Sequence, residues 1–172
     1  MNELSPEMMS QIPPAMWICV AVGVLLFWGG FWAIFAFLFH RNLDAIPENH
    51  RKLGKGSIWA LVVFPLAIFW LFLVLPRLSD SWKSYFASLG NDTAGGCGRK
   101  VGLWSAWLCL ISNGVGVLPY LMPSALVSIL STVISIVGGL VGFVMLLVYC
   151  VIINDLRHKA AGTTAAAPTE QG

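Results

Sequence analysis

Charge is what this sequence has least of. Asp, Glu, Lys and Arg together make up 10% of its 172 residues, whereas a soluble globular domain carries about 25%. A chain this short has a large surface for its volume. A water-soluble fold would therefore expose many of the hydrophobic residues, which are 58% of the total. The composition predicts an integral membrane protein whose partner is the lipid bilayer.

Basic runs are also missing, and the features of a cleaved secretory leader are not recognisable at the start of the sequence. The ten Lys and Arg are scattered through the polar stretches and the net charge is only +2, so nucleic acid is not an expected partner. No Lys or Arg precedes the first hydrophobic segment, and that segment is too long for the apolar core of a cleaved signal peptide. We expect it to be retained.

The four cysteines have neither the spacing of a zinc site nor that of a disulfide framework. Three of them lie in apolar segments, where a free Cys behaves as a small hydrophobe. Cys97 differs because Arg99 and Lys100 follow it, and nearby positive charge lowers the pKa of a thiol. Redox sensing or lipidation at Cys97 is one hypothesis, and an inert loop thiol is the other.

The predicted membrane segments contain no Asp, Glu, Lys or Arg. Ionisable residues inside the membrane mark ion-coupled transporters, so their absence argues against that class. Asn113 is the most polar side chain at depth, and we expect it to hydrogen-bond a neighbouring helix. No serine in these segments has a base with it, and no phosphate-binding glycine loop is present. We predict no enzyme, no catalytic or cofactor-binding residues and no cofactor.

A group of His and acidic residues lies in the first polar loop, at His40, Asp44, Glu48 and His50. These residue types suit zinc or iron. Their spacing matches no metal-binding motif, so we predict ordinary polar residues at the membrane interface and no metal site.

Four hydrophobic segments are predicted, at about residues 15–39, 57–76, 102–118 and 124–153. A helix of roughly 20 apolar residues crosses the bilayer core of about 30 Å. Residues 101–154 carry no charge and would extend about 80 Å as one helix, so they must fold back at the prolines of LPYLMPS. The predicted fold class is all-α, with one polytopic helical membrane domain over residues 1–159 and a disordered tail over residues 160–172.

Pro65 lies near the middle of the second segment and is expected to kink it or to turn it back. A full crossing fits the length of the segment, but it places six Lys and Arg in the cytoplasm and four outside. A re-entrant segment places all ten in the cytoplasm, as the positive-inside rule favours. Both arrangements stay open. In both of them the loop 77–100 and the C-terminus are cytoplasmic.

Residues 78–89 have an amphipathic pattern. Leu78, Trp82, Phe86 and Leu89 follow helical spacing, with Ser and Lys between them. The pattern predicts a short interfacial helix that lies in the headgroup region.

Small residues recur along the fourth segment, where they would let another helix approach closely. These helix-packing candidates are Ser128, Ser131, Ser135, Gly138, Gly139 and Gly142, and Gly138 and Gly142 form a GxxxG pair. One interpretation is homo-oligomerisation or docking on a larger partner. The other is packing within the chain against the third segment, which has its own Gly114 and Gly116.

A basic turn and a glycine precede a Trp, a mid-segment Pro, a second Trp and an Arg-Leu-Ser run. The residues of this pattern are Pro47, Arg51, Gly56, Trp59, Pro65, Trp70, Arg77, Leu78 and Ser79. The stretch resembles a pattern in small uncharacterised bacterial multi-helix membrane proteins, over roughly a third of the chain. The resemblance implies a multi-pass protein of the bacterial plasma membrane and no known activity.

The predicted function follows from the absence of a recognisable catalytic site and from the small residues. We expect a structural or interaction subunit that packs laterally on itself or on a larger membrane complex. The alternative is a small oligomeric pore or permease, because broken helices often line transport pathways.

Overall fold

A computed structural model of the chain describes residues 13–63, 66–90 and 95–166. Every regular element in these ranges is helical, which confirms the all-α prediction for them. The long helices are α1 (Pro14–Asp44), α3 (Leu66–Ser88), α4 (Arg99–Val115) and α6 (Ala125–Ala166). The short elements are a 3-10 helix (Glu48–His50), α2 (Lys55–Trp59), a second 3-10 helix (Ala60–Val62) and α5 (Leu118–Leu121).

Among the described residues, three stretches are long and apolar enough to cross a membrane: Ala15–Asp44, Arg99–Leu121 and Ala125–Thr163. They correspond to the first, third and fourth predicted segments. Proline at the first helical position of α1 suits its start, because a proline there sacrifices no helical hydrogen bond. At the other end of α1, Arg51 donates hydrogen bonds to backbone carbonyls, from Nε to Ile46 O at 2.7 Å and from Nη2 to Asp44 O at 3.3 Å.

The second predicted segment, residues 57–76, is not one helix among the described residues. The second 3-10 helix ends at Val62, the following residue Val63 has an extended backbone, and α3 begins at Leu66. Pro65, the predicted kink, lies outside the described residues. Trp70 Nε1 donates to Ser57 O, so the start of α3 lies beside α2 and the chain reverses between them.

This helical hairpin, which comprises residues 55–62 and α3, lies against the second half of α1. Lys55 Nζ is 2.7 Å from Asp44 Oδ1 at the end of α1. Val62 approaches Gly29, with Cγ1 3.9 Å from where a Cβ on that glycine would be. The hairpin therefore runs back along α1 for roughly 16–22 Å, at 1.5 Å per residue. It then returns, because Ser81 Oγ accepts a hydrogen bond from the backbone N–H of Lys52 at 2.9 Å.

The prediction of a separate interfacial helix at residues 78–89 is not what the structure shows. Residues 78–88 are the second half of α3, which continues through Pro76. The amphipathic pattern is real, but its apolar face covers the core of the protein instead of the headgroup region: Leu78, Trp82 and Phe86 are all buried. A continuous buried face along α3 keeps the helix together past the proline.

The helices α4 and α6 are antiparallel and are joined through α5. Ser112 pairs with Ser135 and Gly102 with Tyr149, so positions later in α6 contact positions earlier in α4. The helix α6 continues through residue 160, where the tail was predicted to begin, and ends at Ala166. An i,i+4 ion pair, Asp155 to Lys159 at 2.7 Å, supports this extension. Residues 167–172 lie outside the described residues.

All ten Lys and Arg lie at one end of the bundle. The loop after α1 contacts the second half of α3 through the hydrogen bond from Lys52 N–H to Ser81 Oγ. Arg99 at the start of α4 pairs with Asp80 of α3 at 3.3 Å. Gly98 packs on Ile152, so the basic residues of α6, Arg157 and Lys159, lie beyond that level at the same end. The most completely buried residues, among them Phe39 and Leu75, lie in the half of the bundle nearest this charged end.

Candidate functional site

The small residues of α6 form a seam with α4. Ser112 Oγ donates to Ser135 O at 2.6 Å, and Ser135 Oγ donates back to Ser112 O at 2.9 Å. Ser105 Oγ donates to Gly142 O at 2.9 Å. These reciprocal bonds hold the two helices close together.

The glycines of the seam provide the close approach. A Cβ at Gly138 would lie 3.5 Å from Ser112 Cβ, one at Gly139 would lie 3.2 Å from Ser112 Oγ, and one at Gly142 would lie 3.1 Å from Leu108 Cβ. Of the other candidates, Ser131 is buried and Ser128 is exposed. Ser135 and the three glycines of the stripe thus face α4 of the same chain, as in the second interpretation of the sequence.

Tyr149 is a junction between the four long helices. Its hydroxyl donates to Leu75 O at 2.7 Å and lies 3.0 Å from Ser79 Oγ. Its ring meets Phe39 edge-on, with 6.0 Å between centroids. A Cβ on Gly102 would lie only 3.0 Å from Tyr149 Cε2. One fully buried side chain therefore joins α1, α3, α4 and α6. Sequence reasoning missed it, because a single Tyr in an apolar run has no spacing signal.

The His and acidic residues of the first polar loop contact different partners at the charged end. His40 Nε2 lies 3.4 Å from Asp44 Oδ2, whereas Glu48 pairs with Arg51 and His50 Nδ1 hydrogen-bonds Ser84 Oγ at 3.2 Å. Within the described ranges, no group of three or more His, Cys, Asp or Glu could hold a metal ion. These contacts tie the first polar loop to α1 and α3.

Cys97 is buried, with 3% of its surface exposed. Burial raises the pKa of its thiol and outweighs the opposing charge of Lys83. The expectation of a lowered pKa is therefore wrong, because desolvation of the thiolate is larger than the attraction of nearby cations. A buried thiol of raised pKa fits the inert-loop hypothesis.

An apolar cavity of about 280 Å³ lies where the hairpin ends. All four long helices line it, with Trp28 and Trp32 from α1, Ile68 from α3, Asn113 from α4 and Phe143 from α6. Ile68 belongs to the first turn of α3, so the hairpin forms one end of the cavity. The spacing of aromatic residues along α1 is the sequence signal that could have indicated this wall.

Asn113 and Trp32 each place a polar group at the cavity wall that the neighbouring helices of the described chain do not engage. Asn113 Nδ2 donates to Cys109 O of its own helix at 2.7 Å, which differs from the expected bond to another helix. Trp32 is buried and its Nε1 has no hydrogen-bond partner. The chemistry this wall offers a ligand is therefore mainly apolar and aromatic contact.

The first half of α1 stands apart from the rest of the described chain. Residues 15–27 are exposed at every position, including Leu26 and Phe27, which are 71% and 78% exposed. One face of the second half of the same helix is buried in the bundle, for example at Ala36 and Phe39. An apolar helix surface of this kind is stable only against lipid or another protein.

Comparisons of the chain with protein-family models, with curated proteins and with solved structures give no match. The geometry of the chain itself is therefore what points to a function.

Proposed function

We propose that this chain is a multi-pass membrane protein that packs laterally, on a second copy of itself or on a larger membrane complex, through the first half of α1. The observation that carries the proposal is the exposure of residues 15–27 on every face. Helices associate in lipid by close packing, and this stretch has none from the described chain. The small-residue seam is already used between α4 and α6, so it does not supply the docking surface.

Cys19 provides a direct test, because it lies on this stretch and is exposed. In a variant that keeps Cys19 and has the other three cysteines replaced by alanine, we expect oxidation in native membranes to give a disulfide-linked dimer on non-reducing gels. The matched control carries Cys19→Ala and Ile129→Cys, since Ile129 is exposed on α6 near the same end. We expect the control to remain monomeric.

Lateral packing would be contradicted if Cys19 gave no cross-link and the chain also ran as a lone monomer in mild detergent, with no stoichiometric partner in native membranes. Equal cross-linking at positions 19 and 129 would indicate random collision and would also count against it.

We further propose a topology of three crossings and one re-entrant hairpin in a bacterial plasma membrane. A hairpin that follows α1 for roughly 16–22 Å reaches only about half to three quarters of a 30 Å bilayer core. Its backbone needs shelter from lipid, and the buried side chains of Ile58 and Leu61 are consistent with such shelter. The charged end is then cytoplasmic with all ten Lys and Arg, in agreement with the positive-inside rule.

Cysteine accessibility distinguishes this topology from four full crossings. In a cysteine-free background, we expect Gly54→Cys and Ser88→Cys to react with a membrane-impermeant maleimide in inverted vesicles and not in intact cells. Tyr120→Cys, at the turn of the opposite end, should show the reverse, because Tyr120 is 86% exposed. Labelling of Gly54→Cys in intact cells, with Ser88→Cys protected, would instead indicate a full crossing.

The second candidate function is a small oligomeric pore or permease. The break in the helix at Val63 favours it, because interrupted helices line many pathways. Its weakness is the apolar lining of the cavity beside the break. Val63→Cys is a further arm of the accessibility experiment: a water-filled path would let the maleimide reach it, and we expect no labelling.

A further inference from the structure

The bundle has a different number of helices in its two halves. Near the charged end, α1, the hairpin, α4 and α6 pack together, with Tyr149 at their junction. Farther from the charged end than Val63 and Leu66, the described residues of the hairpin add no helix to the bundle. The helices α1, α4 and α6 continue there without it. The cavity lies at the level where the hairpin ends, which we call the step, and Ile68 lines the base of the cavity. It is lined by α1, α4 and α6, which continue past the end of the hairpin.

The size of the cavity limits what can occupy it. Its volume is about 280 Å³. A cavity of about 150 Å³ holds a benzene molecule, so there is room for a slender apolar chain. A cavity lined by apolar side chains gains dispersion contacts when such a chain fills it.

The position of the cavity limits the source of that chain. The hairpin closes it toward the charged end, and the step opens it toward the other leaflet, where residues 15–27 of α1 are uncovered. Acyl chains are the apolar groups that fill this depth of a membrane. We infer that the cavity binds one acyl chain of a membrane phospholipid, which enters from the leaflet opposite the charged end. The walls that would contact it are Trp28, Trp32 and Phe143.

The inference rests on the proposed re-entrant topology but not on lateral packing through α1. If the topology were wrong, the maleimide labelling pattern would differ from the expected one. If only the lipid site were wrong, the labelling would be as expected and the lipid bound to the protein would differ. The two failures are therefore distinguishable.

Native mass spectrometry of the full chain, purified in mild detergent, tests the site. We expect one phospholipid to remain bound to the unaltered protein. Asn113→Phe places a ring at the cavity wall and removes only a bond to the residue's own helix, so we expect the bound phospholipid to be lost. The matched control is Ile111→Phe, which adds the same ring to α4 at a half-exposed position outside the cavity; we expect it to retain the lipid.

A phospholipid with a diazirine in the middle of its acyl chain gives a second measurement on the unaltered protein. We expect the photo-adducts of this lipid to concentrate at residues 28–32, 113 and 143. Because this measurement needs no variant, it tests the site even if Asn113→Phe does not fold. The inference is overturned if the purified chain retains no lipid, if the two Phe variants retain it equally, or if adducts spread evenly over exposed positions such as Leu126 and Ile129.

Discussion

Gly102→Ala is expected to lower the free energy of unfolding by about 1–3 kcal/mol, the usual cost of adding a methyl group to a full core. The new Cβ would lie 3.0 Å from Tyr149 Cε2 and 3.1 Å from Leu75 Cβ. Neither neighbour can move freely, because Tyr149 is hydrogen-bonded and the Leu75 atom is attached directly to the backbone of α3. Titration with SDS from mild detergent, followed by circular dichroism, measures the effect.

The matched control is Gly114→Ala on the same helix, where a Cβ meets nothing within 4 Å. The two substitutions make the same chemical change in α4, so their difference isolates the contact with Tyr149. We expect Gly114→Ala to be as stable as the unaltered chain or slightly more stable. Equal loss in both variants would mean that α4 does not approach Tyr149 and Leu75 as described.

Tyr149→Ala is expected to have the largest effect, a loss of about 3 kcal/mol, near the lower end of the range for large aromatic residues in soluble cores. The lower end applies because lipid is as apolar as the protein interior, so the loss comes from packing and not from transfer out of water. The substitution removes contacts with four helices at once. The same titration with SDS measures it.

Two further variants separate the ring from its hydroxyl. Tyr149→Phe keeps the ring and loses the bond to Leu75 O, so we expect a loss of about 1 kcal/mol. Tyr120→Ala removes a tyrosine that is 86% exposed at the turn, and we expect a change within about 0.5 kcal/mol. If Tyr149→Phe were as damaging as Tyr149→Ala, the hydrogen bonds and not the packing would hold the junction.

The sequence predicted the three helices that are long and apolar enough to cross a membrane, because the signal for them is local. A long charge-free run has only one stable form in lipid, and the runs at residues 15–39 and 101–154 correspond to α1, α4 and α6. The hairpin could not be predicted in the same way. Hydropathy gives the length of the apolar run at residues 57–76 but not its direction, which is determined by tertiary contacts such as that between Trp70 and Ser57.

The sequence predicted that small residues of α6 form a close helix contact, but not which helix they contact. The spacing of Gly138 and Gly142 indicated a close approach, but the same spacing suits a second copy, a different protein or the same chain. The reciprocal bonds between Ser112 and Ser135 distinguish these cases, and only coordinates reveal them. The cavity was invisible in the sequence, because it arises where one element ends and its neighbours continue.

The contacts of Tyr149 also constrain the order in which the protein can assemble. Its hydroxyl bonds Leu75 O, 74 residues earlier in the chain. During synthesis the hairpin therefore leaves the ribosome well before its anchor exists, whereas α4 and α6 can pair as soon as both are made. Until α4 and α6 follow, the hairpin has only α1 to pack against, and it completes its packing after α6 has been made.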